Sequence, residues 1–270
     1  MPSTISRILF AALAVGVSAL PYGSDASNWA AATTSTAAAP AATIDNTALI
    51  EKLKDAPRAI DRFKLLLTKD GAGKELLPAD ELQKVIAFDF TANVDPGKGK
   101  GGALKAAQIN NFPILTDLGI STTVGFLGPC GLNTPHTHPR ATEFLTLVEG
   151  DKLDFGFIVE NGLVAEGQNA EVAGSLGRLA GAVFPIGSIH YQFNPTCDNA
   201  TFVATLNSED PGTSQVAQNF FGLNGDIVEA TLGFPEQLNG ADLEAFKAKI
   251  PANVALGVEQ CLQTCNIPKN

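Results

Sequence analysis

Apolar residues have helical spacing near both ends of the chain and strand-like spacing between them. The helical spacing predicts two short helices, over Thr47–Ala56 and Pro57–Thr68. It returns from Gly240 onward in DLEAFKAKI and NVALGVEQCLQTC. Between these segments, β-branched and aromatic runs predict strands over Ser121–Leu127, Ala141–Glu149, Lys152–Val159, Gly162–Ala165, Ala182–Pro185, Ile189–Asn194 and Thr201–Leu206. Short strands with Gly, Pro and Asn turns predict an all-β core, either a sandwich or a closed antiparallel barrel.

The predicted elements divide the chain into five parts. Residues 1–19 combine a cationic start, the apolar run ILFAALAVGV and small residues at Val17 and Ala19, which predicts a secretory signal peptide. The apolar run is shorter than the roughly 20 residues of a membrane-spanning helix. Residues 20–44 are a low-complexity linker, followed by a helical extension and loop (45–105), the strand core (106–235) and C-terminal helices (236–270). We therefore predict a secreted protein, extracellular or in the cell wall, without a membrane partner.

Acidic residues outnumber basic residues. The 28 Asp and Glu residues against 18 Lys and Arg residues give a formal net charge of −10 at pH 7. Removal of residues 1–19 takes away Arg7 and no acidic residue, so the charge becomes −10 − 1 = −11. Nucleic-acid binding depends on a basic patch, and the sequence shows none. We therefore exclude nucleic acid as a partner.

The stretch NTPHTHPRATEFLTLVEG, residues 133–150, concentrates residue types that bind metals. Two of the three histidines in the chain, His136 and His138, are separated by one residue. Side chains alternate between the faces of a strand, so both imidazoles are expected on the same side. Glu143 is out of phase with them, but Pro139 favours a bend that would return Glu143 to their face.

The third histidine completes a ligand set. The window AGAVFPIGSIHYQFN predicts a strand, a Pro-x-Gly turn and a second strand that carries His190 and Asn194. Three imidazoles and one carboxylate suit manganese, iron, nickel or zinc better than Cu(I) or an iron–sulfur cluster, which prefer sulfur ligands. A histidine on its own is more often a hydrogen-bonded structural residue, but the spacing of this set favours one metal site.

The four cysteines are an even number in a chain that is predicted to enter an oxidising compartment, which favours two disulfides. Cys130 and Cys197 flank the histidine-bearing segments, whereas Cys261 and Cys265 are four residues apart. Of the three pairings that four cysteines allow, this favours 130–197 with 261–265; small buried thiols are the alternative. Asn199 begins the sequon Asn-Ala-Thr and is a candidate glycosylation site.

The segment PHTHPRATEFLTLVEG followed by FPIGSIHYQFN resembles the two motifs of the cupin superfamily. The segment GPCGLNTPHTHPRATE, preceded by NNFPILTDLGIS, is similar to the germin and spherulin branch of that superfamily. The similarity extends over about residues 106–207. This resemblance implies a cupin jelly-roll β-barrel and a manganese site, with iron and zinc as alternatives. The implied ligands are His136, His138, Glu143 and His190.

Three positions depart from the pattern of the family. Cys130 and Leu179 stand where the two motifs are expected to have their leading glycines, which bears on turn geometry. Two asparagines help to hold oxalate in the oxalate-oxidising germins; Asn133 matches one and is a candidate substrate-positioning residue, whereas Thr123 occupies the position of the other. A hydroxyl is shorter than an amide and has a different donor pattern, so we expect weak or absent oxalate oxidase activity.

The resemblance leaves several functions open. The first is a manganese oxidoreductase acting on a small anionic substrate, as a superoxide dismutase or a weak oxalate oxidase. The second is a non-catalytic structural or stress protein of the cell wall or spore coat, in which the metal stabilises the fold. A third is a cupin that binds a sugar or another small molecule without turnover. A single motif pair argues against a two-domain oxalate decarboxylase.

The resemblance also predicts a homo-oligomer, since germin-like barrels assemble through outer strands and C-terminal helices. Leu243, Phe246 and Ile250 form an apolar stripe of helical spacing after the strand core. Such a stripe would suit an interface between chains. The alternative is that it packs on its own barrel.

Overall fold

The computed structural model describes residues 45–92, 94, 101–233, 240–247, 249–251 and 253–268. The predicted signal peptide (1–19) and linker (20–44) lie outside these residues and remain predictions. No helix in the described part of the chain is long and apolar enough to cross a bilayer.

Among the described residues, three helices precede the sheets. They are α1 (Thr47–Asp55), α2 (Ala59–Leu67) and α3 (Ala79–Ile86). The first two confirm the predicted helices, and they bury Leu53 and Leu66. The third was not predicted, although Pro78 before it and the two acidic residues in its first turn are recognised start signals. Arg62 in α2 forms an ion pair with Asp117 (Nη1–Oδ2 3.1 Å), which connects the helices to the strand region.

Eleven strands follow in the described residues. They are β1 (Gly102–Ala107), β2 (Ser121–Leu127), β3 (Gly131–Thr137), β4 (Glu143–Glu149), β5 (Leu153–Ile158), β6 (Val172–Leu176), β7 (Gly181–Phe184), β8 (Ile189–Phe193), β9 (Ala200–Leu206), β10 (Ser214–Gln215) and β11 (Val254–Leu256). The remaining helical elements are a 3-10 helix (Pro113–Leu115), α4 (Val216–Phe221), α5 (Gly225–Thr231), α6 (Gly240–Lys247) and α7 (Glu259–Thr264).

The strands form two antiparallel sheets. One has the order β1-β2-β9-β4-β7; the other has the order β10-β3-β8-β5-β6, and β11 also pairs with β3. Leucine and phenylalanine side chains from both sheets form one buried cluster, for example Leu127 from β2, Leu145 from β4 and Leu153 from β5. The predicted all-β core with a jelly-roll arrangement is therefore confirmed. It is built as two packed sheets.

One predicted strand does not form, and the strand core starts earlier in the chain than expected. The prediction of a strand over Gly162–Ala165 is wrong, because this segment is an exposed turn between β5 and β6 and Gly162 has a φ of 91°. The strand core begins at Gly102, before its expected start at residue 106. A Cβ atom at Gly102 would lie 2.1 Å from the Phe126 carbonyl oxygen, so only glycine allows this close approach. The candidate glycosylation site, Asn199, is exposed just before β9 and remains a prediction.

The C-terminal segment NVALGVEQCLQTC is only partly the helix that its spacing predicts. Its first part is β11, which pairs with β3, and its second part is α7. Gly257 separates the two parts, donating its N–H to the Cys130 carbonyl at 2.7 Å. A Cβ atom at Gly257 would lie 2.4 Å from the Phe193 ring, so the chain passes this ring too closely for any side chain.

Both disulfides join α7 to the jelly-roll. The bonds are Cys130–Cys261 and Cys197–Cys265, so the favoured pairing of 130–197 with 261–265 is wrong. The Cys130 N–H donates to the Thr196 carbonyl at 3.1 Å, which places the segments of Cys130 and Cys197 side by side. Residues four apart lie on the same face of a helix. Cys261 in α7 and Cys265 immediately after it therefore each reach one of these segments instead of bonding to each other.

The predicted apolar stripe is covered in part by its own chain. Leu243 is buried, and Gly225 of α5 lies close to it. The rings of Phe246 and Phe221 are 5.1 Å apart in an edge-to-face contact, and Phe246 remains partly exposed. Packing within the chain, the alternative to an interface, therefore accounts for Leu243.

Candidate metal centre

The four candidate ligands converge in the structure. His136 lies in β3, His138 follows that strand, Glu143 begins β4 and His190 lies in β8. His136 and His190 are directly opposite each other in the β3–β8 ladder, so their side chains share a face. One ligand atom of each residue lies within 4.8 Å of the others, and all four residues are buried. The set draws on both sheets, because β4 belongs to one and β3 and β8 belong to the other.

The turn between β3 and β4 brings Glu143 to the face of the histidines. The Gly187 N–H donates to the His138 carbonyl at 3.1 Å, which ties this turn to the one between β7 and β8. In β4 the next residues on the side of Glu143 are Leu145 and Leu147, which are both 0% exposed. The carboxylate therefore stands at the boundary between the apolar core and the candidate site.

Backbone carbonyls fix the tautomer of each imidazole. The three Nδ1–oxygen pairs are His136 with Thr134 (2.8 Å), His138 with Gly212 (2.6 Å) and His190 with Ser188 (3.0 Å). A carbonyl oxygen can only accept, so each Nδ1 must carry the proton. In a neutral imidazole with the proton on Nδ1, the Nε2 atom has the lone pair with which histidine binds a metal ion.

Burial and mutual contacts shift the pKa values of three ionisable groups in the site. Burial raises the pKa of Glu143, but the close approach of His138 and His190 to its carboxylate outweighs this effect and brings the pKa to about 2. Burial lowers the pKa of His136 to about 3. Burial also lowers the pKa of His138, but its hydrogen bond to Glu143 (Nε2–Oε2 2.9 Å) raises it more, so the net shift is upward. At neutral pH the carboxylate is therefore ionised and His136 is neutral.

The donor set fits a divalent transition metal. The Nε2 atom of His190 is buried and has no hydrogen-bond partner in the described residues, although Glu143 Oε2 lies 3.4 Å away. An unpaired buried polar atom is costly, and a bound ion would satisfy it. The Phe184 ring stacks on the His190 ring, with centroids 4.5 Å apart and an interplanar angle of 11°, and restrains it.

A cavity of about 480 Å³ adjoins the candidate ligands and includes His136, His138 and Glu143 in its wall. Its apolar residues are Leu104, Ala106, Phe202 and Ala204. Its uncharged polar residues are Gln108, Thr123, Asn133, Thr213, Gln215 and Asn253. This volume lies in the range of small-molecule sites. Glu143 is the only charged side chain, histidines aside, among the described residues of the wall.

Asn133 and Thr123 both line this cavity, as the resemblance to germins implies. Asn133 is buried, and its Nδ2 donates to the Oε1 of Gln192 at 2.6 Å. Gln192 is opposite Asn133 in the β3–β8 ladder and is fully buried, so it holds the amide of Asn133 in place. Gln192 was not predicted as a site residue, although its position two residues after His190 places it on the same face of the strand.

The far wall of the cavity was also missed. Gln215 lies in β10, where it is opposite His136, and Asn253 immediately precedes β11. Both strands pair with β3 although they follow it by many residues in the chain. No local pattern in the sequence signals a residue that enters a site through such distant pairing.

Two residues that replace motif glycines keep the backbone conformation of glycine. Cys130 has a φ of 56° and Leu179 has a φ of 64°. Residues with a Cβ atom seldom adopt this left-handed conformation, because the Cβ atom crowds the following carbonyl. The turns are therefore preserved with local strain. The disulfide to Cys261 holds Cys130 in place.

Comparison with known proteins identifies relatives for most of the chain. Residues 92–239 match the family described as Cupin. Spherulin-1A of Physarum polycephalum is 35% identical over 218 residues, which cover 80% of this chain and 78% of that protein. Germin-like protein 12-1 of Oryza sativa subsp. japonica is 36% identical over 184 residues, which cover 65% of this chain and 79% of that protein.

Solved structures share the fold at lower identity. An oxalate oxidase in complex with glycolate has a TM-score of 0.54 and 24% identity, covering 65% of this chain and 86% of that chain. The oxalate decarboxylase of Bacillus subtilis has a TM-score of 0.50 and 17% identity, covering 61% of this chain and 39% of that one. At these identities the likeness concerns the fold alone.

Proposed function

Because the chain belongs to the cupin family, we propose that it is a secreted manganese-binding oxidoreductase of the germin and spherulin type. Superoxide is the favoured substrate, and oxalate would be oxidised weakly. One observation carries this proposal: three imidazoles whose Nδ1 atoms contact backbone carbonyls, together with Glu143, bring their ligand atoms within 4.8 Å of one another beside a cavity. That arrangement offers an ion several protein ligands and leaves one side of the site open to a small molecule.

Manganese fits the donor set, with iron and zinc as alternatives. Imidazole nitrogen and carboxylate oxygen are ligands that all three ions accept, and the cysteines are engaged in disulfides elsewhere. When bound, the ion would supply redox change and a binding position for an anion. The ionised Glu143 would offset part of its charge, and the carbonyl-bound imidazoles would keep their orientation.

The polar wall of the cavity favours a very small anion over oxalate. Asn133 can donate to a bound anion, since only one of its two amide hydrogens is needed by Gln192. Thr123 offers one short hydroxyl where the germin pattern has a second amide. Superoxide needs little positioning beyond the metal, whereas oxalate turnover requires the substrate to be held in one pose.

Secretion is supported by the two disulfides, because such bonds persist in oxidising compartments. The location remains a proposal, extracellular or in the cell wall.

A structural or stress role in a cell wall or spore coat is the second candidate. It is favoured by the position of the ligands, which come from both sheets of the jelly-roll. An ion bound there would connect the sheets and stabilise the folded state, since it binds that state alone. In this case the metal would be retained without turnover.

Metal analysis of the purified protein and of His138→Ala, followed by assays on the same samples, tests both candidates. We expect about one manganese per chain in the unchanged protein and loss of the ion in the variant, because one of four ligands is gone. Superoxide decay and peroxide release from oxalate are then measured. Full metal occupancy in His138→Ala would contradict the ligand set. Full occupancy in the unchanged protein without either activity would favour the structural role.

A further inference from the structure

We propose that Cys265 transfers thiol–disulfide exchange from the exposed disulfide to the buried disulfide, and that this exchange releases the C-terminal strap from the candidate metal centre. The exposed disulfide is Cys197–Cys265, the buried disulfide is Cys130–Cys261, and the C-terminal strap is residues 253–268, which include β11 and α7. The inference goes beyond the proposed function, because it concerns sulfur chemistry outside the metal centre and its test needs no bound ion.

The C-terminal strap forms one side of the candidate site. The Asn253 carbonyl accepts the N–H of Thr134 at 2.8 Å, and the Thr134 carbonyl lies 2.8 Å from Nδ1 of His136. Asn253 also lines the cavity, and Val254 is opposite Asn133 in the β11–β3 ladder. Movement of the strap away from β3 would therefore open the cavity and free the backbone segment that orients His136.

The two disulfides that hold the strap differ in accessibility. Cys130 and Cys261 are 0% and 8% exposed, whereas Cys197 is exposed and Cys265 is half-buried. A dissolved thiol attacks a disulfide at a sulfur atom that it can reach. An external thiol therefore reacts first at Cys197, and the buried disulfide is protected from direct attack.

Cys265 lies close to both sulfur atoms of the buried disulfide. The Sγ atoms of Cys130, Cys261 and Cys265 all lie within 4.8 Å of one another, and Cys197 is outside this group. The N–H of Cys265 donates to the Cys261 carbonyl at 2.9 Å, so these two cysteines are one helical turn apart on the same face. A thiolate on Cys265 can therefore attack the buried disulfide before the strap moves.

The exchange consists of two displacements. The thiolate of a low-molecular-weight thiol attacks Cys197 Sγ, forms a mixed disulfide there and releases Cys265 as a thiolate. Cys265 then attacks Cys261 Sγ, which forms a Cys261–Cys265 bond and releases Cys130 as a thiolate. The proton of the external thiol ends on Cys130, and the number of disulfide bonds is unchanged, so no oxidant or reductant is consumed.

The new bond leaves the strap without a covalent link to the jelly-roll. Helical residues four apart have Cα atoms about 6 Å apart, inside the range of about 4.4–6.8 Å that disulfides span. The Cys261–Cys265 bond can therefore form within the strap. What then holds the strap is the short β11–β3 ladder and the packing of Leu262 in the cluster that includes Phe193.

Two single variants separate the transfer from simple loss of the exposed disulfide. Cys197→Ser and Cys265→Ser both lack that bond, but only Cys197→Ser retains the Cys265 thiol. The purified proteins are incubated with a monothiol, quenched with acid and alkylated, and the linked peptides are measured by mass spectrometry. With about 0.1 mM monothiol, we expect Cys130–Cys261 to disappear at least about tenfold faster in Cys197→Ser, because a neighbouring group acts at a millimolar or higher effective concentration.

The unchanged protein provides a second measurement. The same treatment should produce a Cys261–Cys265 peptide, and the Thr134 N–H, which donates to Asn253, should then exchange with solvent at least about tenfold faster. The N–H groups of β9, in the other sheet, serve as the control and should not change. Equal opening of Cys130–Cys261 in the two variants, or an unchanged Thr134 N–H after the new bond has formed, would overturn the inference.

Discussion

At the scale of single residues, the ligand histidines owe their orientation to the backbone. His136 and His190 each donate to the carbonyl two residues earlier, at Thr134 and Ser188, so the same short-range contact recurs in two strands. Neither contact needs a side-chain partner. Substitutions around the site can therefore change charge or volume without releasing these imidazoles, provided that the strands themselves persist.

The buried His136 makes the stability of the metal-free protein depend on pH. Its folded-state pKa of about 3 lies below the ordinary value of 6.5, so between these values the unfolded chain binds a proton that the folded chain does not. The free energy of unfolding should therefore fall with falling pH, by up to about 1.4 kcal/mol per pH unit for this one proton. Stability from His138, whose pKa is raised, is lost only as pH rises through that value.

Denaturant unfolding of the metal-free protein at several pH values between 4 and 6.5 measures this slope. His136→Asn removes the titrating group and should flatten the slope by about one proton. An equal slope in the variant would show that His136 is not held neutral by burial.

We expect Thr123 to limit the use of oxalate. Thr123→Asn should raise oxalate turnover, since a good hydrogen bond to an anion contributes roughly 1.5–3 kcal/mol, or about ten- to a hundredfold in rate. Peroxide release and metal content are measured together, and metal content should not change. Thr122→Asn is the matched control, because neighbouring strand residues face opposite sides. If the unchanged protein already oxidises oxalate as fast as Thr123→Asn, the role assigned to position 123 is wrong.

At the scale of elements, the sequence predicts best the strands that serve the core. The strand β2 has the predicted boundaries, and β4 begins two residues after its expected start. The strand β3 was absent from the runs predicted by apolar pattern, because its inward positions carry Asn133 and His136 in place of apolar residues; only the argument about the two histidines placed a strand there. The strand that builds the site thus lacks the alternation by which strands are recognised.

The four ligands could be predicted from the sequence, whereas the residues of the far wall of the cavity could not. The four ligands were predicted because they lie within two compact motifs. Gln215 and the disulfide partners depend on contacts between segments that are distant in the chain. Spacing along the chain does not encode such contacts.

The turn between β6 and β7 contains a replaceable source of strain. Leu179 has a φ of 64°, which is an unfavourable conformation for a residue with a Cβ atom. Its side chain is 73% exposed, so burial does little to offset this strain. Leu179→Gly should raise the free energy of unfolding by about 0.5–1 kcal/mol, since glycine adopts this conformation without strain. Leu163→Gly, in an exposed turn without this conformation, should not stabilise. Thermal unfolding compares the two; stabilisation by Leu163→Gly alone would contradict the argument.

At the scale of the whole molecule, an apolar outer surface supports the expected homo-oligomer. Phe144 in β4 and Val183 in β7 are directly opposite each other, 54% and 49% exposed respectively. Exposed apolar pairs of this kind are frequent at interfaces. Light scattering at micromolar concentration should show an oligomer, and Phe144→Ser should shift it toward the monomer. Val164→Ser, at an exposed turn, is the control; a monomeric unchanged protein would contradict the prediction.

The two disulfides also constrain the order of synthesis, oxidation and metal binding. Cys130 precedes β3, and its partner Cys261 follows 131 residues later in α7. During synthesis the β3 side of the site therefore cannot be locked until α7 has left the ribosome and met an oxidant. If the protein is secreted as proposed, the Cys130–Cys261 disulfide forms in the compartment that oxidises thiols. The supply of ions in that compartment, together with the nitrogen and oxygen ligands, then decides which metal the finished protein holds.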